Sequence, residues 1–341
     1  MNQLQDSNGK RRFSRGFYSR IWIVLILTLL LGCSYPLKPT REMEHAVYSV
    51  QSGRNELPER FSPLFLVENF GEIYNRIGQP AGRLDEEGNE QIYVDPRRPA
   101  VYYMVRHFST EKAHFTNVIY RIHFPEVPFS IYPFHLTAGR NVGILVIITL
   151  DNKERPVLVT TSGTCGCYAA IVPTSWLPAD AYPPVWEEGP LEVYGESLPP
   201  LLDYRDSSDL RLLVRLRSGV HRIMDLTLVS EQDMLPGISM PFVKASLIHM
   251  DSLEKIPING KTTSFYYKEW PHKGHVKNSF KPWESLLMSL ISLDFFVGAD
   301  KNYGDSQITG NPFYTSLKPW NRSTSDMWDF PGFLKFNGWR L

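Results

Sequence analysis

The chain has 341 residues, with 36 Lys plus Arg balanced by 36 Asp plus Glu, and it is 43% hydrophobic and 13% aromatic. That length and apolar content suffice for one large core or two ordinary ones. With no basic excess to displace counterions, the composition excludes the usual nucleic-acid binder, so no nucleic-acid partner is expected.

Lys10, Arg11, Arg12, Arg15 and Arg20 precede an apolar run from Ile21 to Leu31, which ends in Gly32 and Cys33. Positive charge, apolar core and small residues in that order are the marks of a secretory signal. The run is far shorter than the roughly 20 apolar residues a spanning helix needs, so residues 1–32 read as a removed signal peptide. Leu30-Leu31-Gly32-Cys33 resembles the lipobox of bacterial lipoproteins, in which a dedicated peptidase cuts before a cysteine already carrying diacylglycerol. The resemblance covers those four residues only. It implies lipid attachment at Cys33 and, through that lipid, a membrane partner in the cell envelope. Ser34 stands where aspartate would favour inner-membrane retention, which leans toward an outer membrane, facing the periplasm. Residues 1–32 carry five basic side chains and one acidic, so the remainder holds 31 Lys plus Arg against 35 Asp plus Glu.

Residues 33–60 are polar and mixed in charge, as a tether would be. A β-rich globular body is expected over 61–341. Ala100 to Phe108, Phe115 to Phe124, Asn141 to Leu150 and Pro156 to Thr161 are Tyr-, Val-, Ile- and Phe-rich runs separated by turn residues. The prolines of 178–200 make that stretch a loop or a division between two subdomains. Leu210 to Val229 and Phe242 to His249 supply further extended runs, and Asn259-Gly260 is a strong two-residue hairpin signal. Trp283 to Val297, apolar nearly all round, predicts a helix buried by its neighbours. Tyr314, Trp320, Trp328 and Trp339 predict a C-terminal tail packed onto the body. The expected fold is therefore β-rich α+β, a mainly antiparallel sheet or sandwich with one buried C-terminal helix.

Once Cys33 is assigned to lipid, Cys165 and Cys167 are the remaining cysteines, two residues apart in a compartment where disulfides persist. In an extended segment both would point to one face and could hold a soft metal; with a kink at Gly166 they could close a small redox-active disulfide. His123 and His135 lie in the preceding segments and would complete a Cys2His2 set for zinc or copper. His272 and His275 flank Lys273-Gly274 in what reads as a solvated loop, and 300–305 reads as a turn after the helix. Gly260-Lys261-Thr262 lacks the first glycine of a P-loop, and Gly-x-Ser-x-Gly and His-Glu-x-x-His are absent from the sequence. Three functions follow as expectations: a lipid-anchored binding or assembly protein, a metal-binding or thiol-redox protein using Cys-Gly-Cys, or a hydrolase of envelope polymers.

Overall fold

The longest apolar runs become the strands that are covered on both faces. The structure, a computed structural model, describes residues 44–50, 56–187, 189–205, 209–230 and 240–341. The signal segment 1–32 and Cys33 lie outside them. In chain order the strands are β1 (Ala46–Val50), β2 (Leu64–Val67), β3 (Gln79–Leu84), β4 (Glu90–Asp95), β5 (Ala100–Ser109), β6 (His114–Val127), β7 (Gly139–Leu150) and β8 (Pro156–Gly163). They continue with β9 (Ala170–Pro173), β10 (Leu191–Val193), β11 (Glu196–Leu198), β12 (Leu210–Leu216), β13 (Ile223–Ser230), β14 (Phe242–His249), β15 (Ile256–Ile258) and β16 (Lys261–Thr263). The α-helices among the described residues are α1 (Leu57–Arg60), α2 (Pro282–Ser292), α3 (Ser306–Thr309) and α4 (Phe330–Phe336).

Ten strands form one sheet in the order β13-β12-β2-β1-β14-β5-β6-β7-β8-β9, and three two-stranded sheets accompany it. The large sheet is mixed: β1 with β14, β14 with β5, and β12 with β2 run parallel, while the other pairs are antiparallel. Val159 and Val172 from one edge share a hydrophobic cluster with Leu212 and Leu226 from the other, so the sheet curls around that core. Its opposite face is covered by the chain after β14, where Phe265, Phe313, Met327, Phe330 and Trp339 pack on Ile119, Leu145 and Ile147. Strands buried on both faces read as continuous apolar runs rather than alternating ones, which is the character of β7 and β8. The β-rich α+β class expected from the sequence is what the chain adopts. Asn259 and Gly260 turn the β15–β16 hairpin with φ of 45° and 75°, as their residue types favour.

Several expectations are corrected. Part of the tether 33–60 is structured: β1 lies inside the sheet between β2 and β14 with Ala46 and Val47 fully buried, and α1 follows it. The Pro-rich stretch 178–200 does not divide the body, since Pro39–Leu341 is one compact unit and Leu198 of the small β10–β11 hairpin belongs to the curled core. Of the tail aromatics, Tyr314 and Trp339 are buried and Trp328 packs on Tyr303, but Trp320 is exposed. His275 is buried against Asn311 and Phe296 rather than solvated.

The helix predicted over Trp283 to Val297 exists as the shorter α2, and it is not buried. Its polar residues Glu284, Ser285 and Ser292 face inward, while Leu286, Leu290 and Ile291 face solvent, with Leu290 83% exposed and Ser292 0%. The inward side is polar because of what it meets. Ser285 Oγ donates to the Phe295 carbonyl at 2.6 Å, and Gly298, at φ 81°, leaves room for the Glu284 carboxyl that any Cβ there would strike. Burial pushes the Glu284 carboxyl above its ordinary range, despite the nearby ammonium groups of Lys281 and Lys301. Leu293 closes the helix in the left-handed conformation, φ 50° and ψ 42°, where glycine is the usual occupant. Leu293→Gly should therefore raise the unfolding free energy by up to about 1 kcal/mol, relief of backbone strain outweighing the added freedom of the unfolded chain. A urea midpoint that fell would contradict the strain assignment.

Candidate functional site

The Cys165–Cys167 loop follows directly from the end of β8. Gly163 N–H donates to the Cys167 carbonyl at 2.8 Å and Gly166 N–H to the Gly163 carbonyl at 2.8 Å, folding 163–167 into a tight turn. Gly166 has φ 89°, and a Cβ there would collide with the Tyr314 carbonyl, so glycine is needed for both conformation and close approach. Within this turn the two cysteines form a disulfide, with their Cα atoms 5.5 Å apart. Cys165 is buried and Cys167 half-buried.

Each sulfur is bonded to the other and has no thiolate to offer a metal. The histidines expected to join them are committed elsewhere. His123 is fully buried, its Nε2 accepting from Arg121 Nε at 3.1 Å and its ring edge-on to Tyr102 and Phe265. Desolvation, reinforced by the Arg121 charge, holds its pKa well below the ordinary imidazole range, so it is neutral. His135 sits in the 128–138 loop with Nδ1 2.8 Å from the Pro128 carbonyl oxygen. Among the described residues no group of three or more His, Cys, Asp or Glu side chains is placed to hold a metal ion. The zinc or copper set of Cys165, Cys167, His123 and His135 is thus not assembled.

The loop is instead clamped by charged residues of the segment expected to be a turn after the helix. Asp300 and Lys301 are fully buried, brought under the loop by the chain after α2. Asp300 Oδ1 accepts from the Thr164 hydroxyl and from Gly143 N–H at 3.1 Å, and its Oδ2 lies 3.1 Å from the Lys281 ammonium. Lys301 donates its backbone N–H to the Thr164 carbonyl at 2.8 Å and its ammonium to the Cys165 carbonyl. That ammonium lies 4.1 Å from the centroid of the Tyr314 ring. Burial, partly offset by Asp294, brings the Lys301 pKa down to about 8. Arg121 Nη1 donates to the Lys301 carbonyl at 2.9 Å, linking the clamp to His123. A signal for this was present: an adjacent Asp-Lys pair directly after the apolar run 295–299 is poorly explained as a solvated turn.

Two of the hollows on the body are lined by described residues. One, beside the cysteine loop, is lined by Gly163, Tyr168, Arg222 and Ile223 among others, and its roughly 10 Å³ of free space admits about one water. The other, of about 340 Å³, is shallow and sits at the β5–β6 hairpin end, where Ser109 Oγ is 2.7 Å from His114 Nδ1 beside His107. None of its lining residues is a carboxylate that could orient the histidine for nucleophilic catalysis. No protein-family model, curated protein or solved structure matches the chain.

Proposed function

We propose that the protein is a lipid-anchored cell-envelope protein whose β-rich body works by presenting a surface, as a binding or assembly lipoprotein held at the membrane through Cys33. The observation that supports a surface over a pocket is α2, which keeps its polar side chains inside and turns Leu286, Leu290, Ile291 and the following Leu293 outward. An exposed apolar face of that kind marks an interaction site on a folded protein. The Leu30-Leu31-Gly32-Cys33 box supports the anchor and the envelope location, on the periplasmic side of an outer membrane where the cell has one. Cys33→Ala should abolish incorporation of labelled fatty acid and leave the chain unprocessed. Label surviving in that variant would overturn the lipoprotein reading.

A second reading is carried by the disulfide itself. A half-buried Cys167 in a three-residue ring can exchange with an external dithiol, which would take up the disulfide and leave two thiols on the chain, with two electrons and two protons transferred. Its test is alkylation after incubation with a small dithiol: two added groups on the 165–167 peptide at reductant levels that spare ordinary structural disulfides support it, and none counts against it.

A further inference from the structure

We infer that the outward face of α2, together with the tip of the 128–138 loop, docks flat on the lipid bilayer that holds the Cys33 anchor; the inference rests on the lipoprotein reading and names the partner of its surface. Phe129 and Phe134 pack on Trp283 with ring centroids 6.0 and 5.8 Å apart, so the loop and the helix form one surface. Phe129, Ile131 and Tyr132 are exposed on the loop, and Leu290, Leu293 and Phe295 on the helix side. Arg322, which donates to the Ser292 carbonyl, ties the segment carrying exposed Trp320 and Lys318 to the end of the helix. Leucine, phenylalanine, tryptophan and tyrosine beside a few cations are the chemistry of an interfacial element. With 11 residues, about 16 Å, α2 is too short to cross a hydrocarbon core of about 30 Å, so it would lie in the interface plane.

Strand register says why the occupant is a bilayer. Val47 pairs with Phe242, and Ser246 of the same strand pairs with Ala100. Tyr102 pairs with Arg121, and Val127 with Gly139. Counting along β14, β5 and β6 brings Val47, Phe242, Val127 and Gly139 to the same end of the sheet. The chain enters β1 at that end. The 128–138 loop leaves it, and α2 starts against it, since a Cβ on Gly139 would lie 2.8 Å from Lys281 Cγ and 3.1 Å from the Phe280 carbonyl oxygen. From β1 to β7 is four strand spacings, about 20 Å across the sheet. The 12 residues between Cys33 and Ala46 reach at most about 45 Å fully extended. The anchor therefore holds the apolar face within reach of its own bilayer, at an effective concentration that a weak surface contact needs.

The test uses the full chain expressed in its own envelope, with p-benzoylphenylalanine, a photo-reactive amino acid, in place of Leu290, or of Phe295 as a second position. Asn152, exposed in the β7–β8 turn at the opposite end of the sheet, is the control position. After irradiation, phospholipid adducts on the labelled peptide should be at least tenfold more abundant at 290 and 295 than at 152. Cross-links from 290 and 295 to a second copy or to another protein in place of lipid would overturn the inference, as would equal yields at all three positions. Acylation of Cys33 is read by mass in the same sample. Acylated protein without lipid adducts overturns the docking alone, whereas unacylated protein with no adducts overturns the lipoprotein reading and the docking with it.

Discussion

Acidification from pH 6.5 to 5 should cost the folded body several kcal/mol of stability, far more than surface histidines would account for. Three histidines are buried with their pKa values depressed chiefly by desolvation: His123 well below the ordinary range, His221 to about 3 and His275 to about 4. His221 is stacked on Phe124 with ring centroids 4.0 Å apart. A depressed folded pKa means that the unfolded chain takes up the proton first. The stabilisation is complete above about 6.5 and is lost progressively as pH falls toward the folded value. Over that interval each histidine costs about 1.6 kcal/mol, about 5 together, against the 5–15 kcal/mol typical of a whole domain. Glu284 and Asp326, whose carboxyls burial pushes up, work in the opposite sense and reduce the net loss. Urea unfolding at closely spaced pH values gives the slope, and His221→Phe should remove about a third of the histidine contribution. A stability unchanged between pH 6.5 and 5 would show that these rings are not buried as neutral imidazoles.

How much of this was legible in the sequence depends on how local each feature is. The hairpins β5–β6 and β7–β8 and the turn at Asn259-Gly260 join neighbouring runs, so alternation and turn residues suffice to find them. The parallel neighbours of the sheet are another matter. β1 pairs with β14 almost two hundred residues away, and a five-residue strand flanked by polar sequence looks like the end of a tether. For α2 the helix was readable but its orientation was not, because an apolar helix is assumed to bury its apolar side. What decides the orientation is the polar surroundings of Glu284, among them Lys281, Lys301 and Asp300, which no periodicity reports. The cysteine pair could be found by counting. Its covalent state could be named only as one alternative, and the partners of Asp300 and Lys301, at 164 and 165, were out of reach because they lie 136 residues earlier.

That clamp carries the largest single-substitution effect expected of the molecule. Asp300 and Lys281 side chains are 1% and 4% exposed, so neither can exchange its partner for water. Asp300→Ala would leave the Lys281 ammonium buried without its counter-charge and would also strip the acceptor from Thr164 Oγ1 and Gly143 N–H. Removing one member of a buried pair typically costs about 3–5 kcal/mol, most of it the penalty on the charge left behind. The double variant Asp300→Ala/Lys281→Met removes that charge along with its partner and should recover much of the loss, since the pair itself contributes little net stability once its desolvation is counted. Asp300→Asn should fall between wild type and Asp300→Ala, because an amide oxygen still accepts from Thr164 and Gly143 but cannot neutralise Lys281. Chemical denaturation of the four proteins checks the order. A double variant no more stable than Asp300→Ala would place the cost in the lost hydrogen bonds to the cysteine loop rather than in the stranded ammonium.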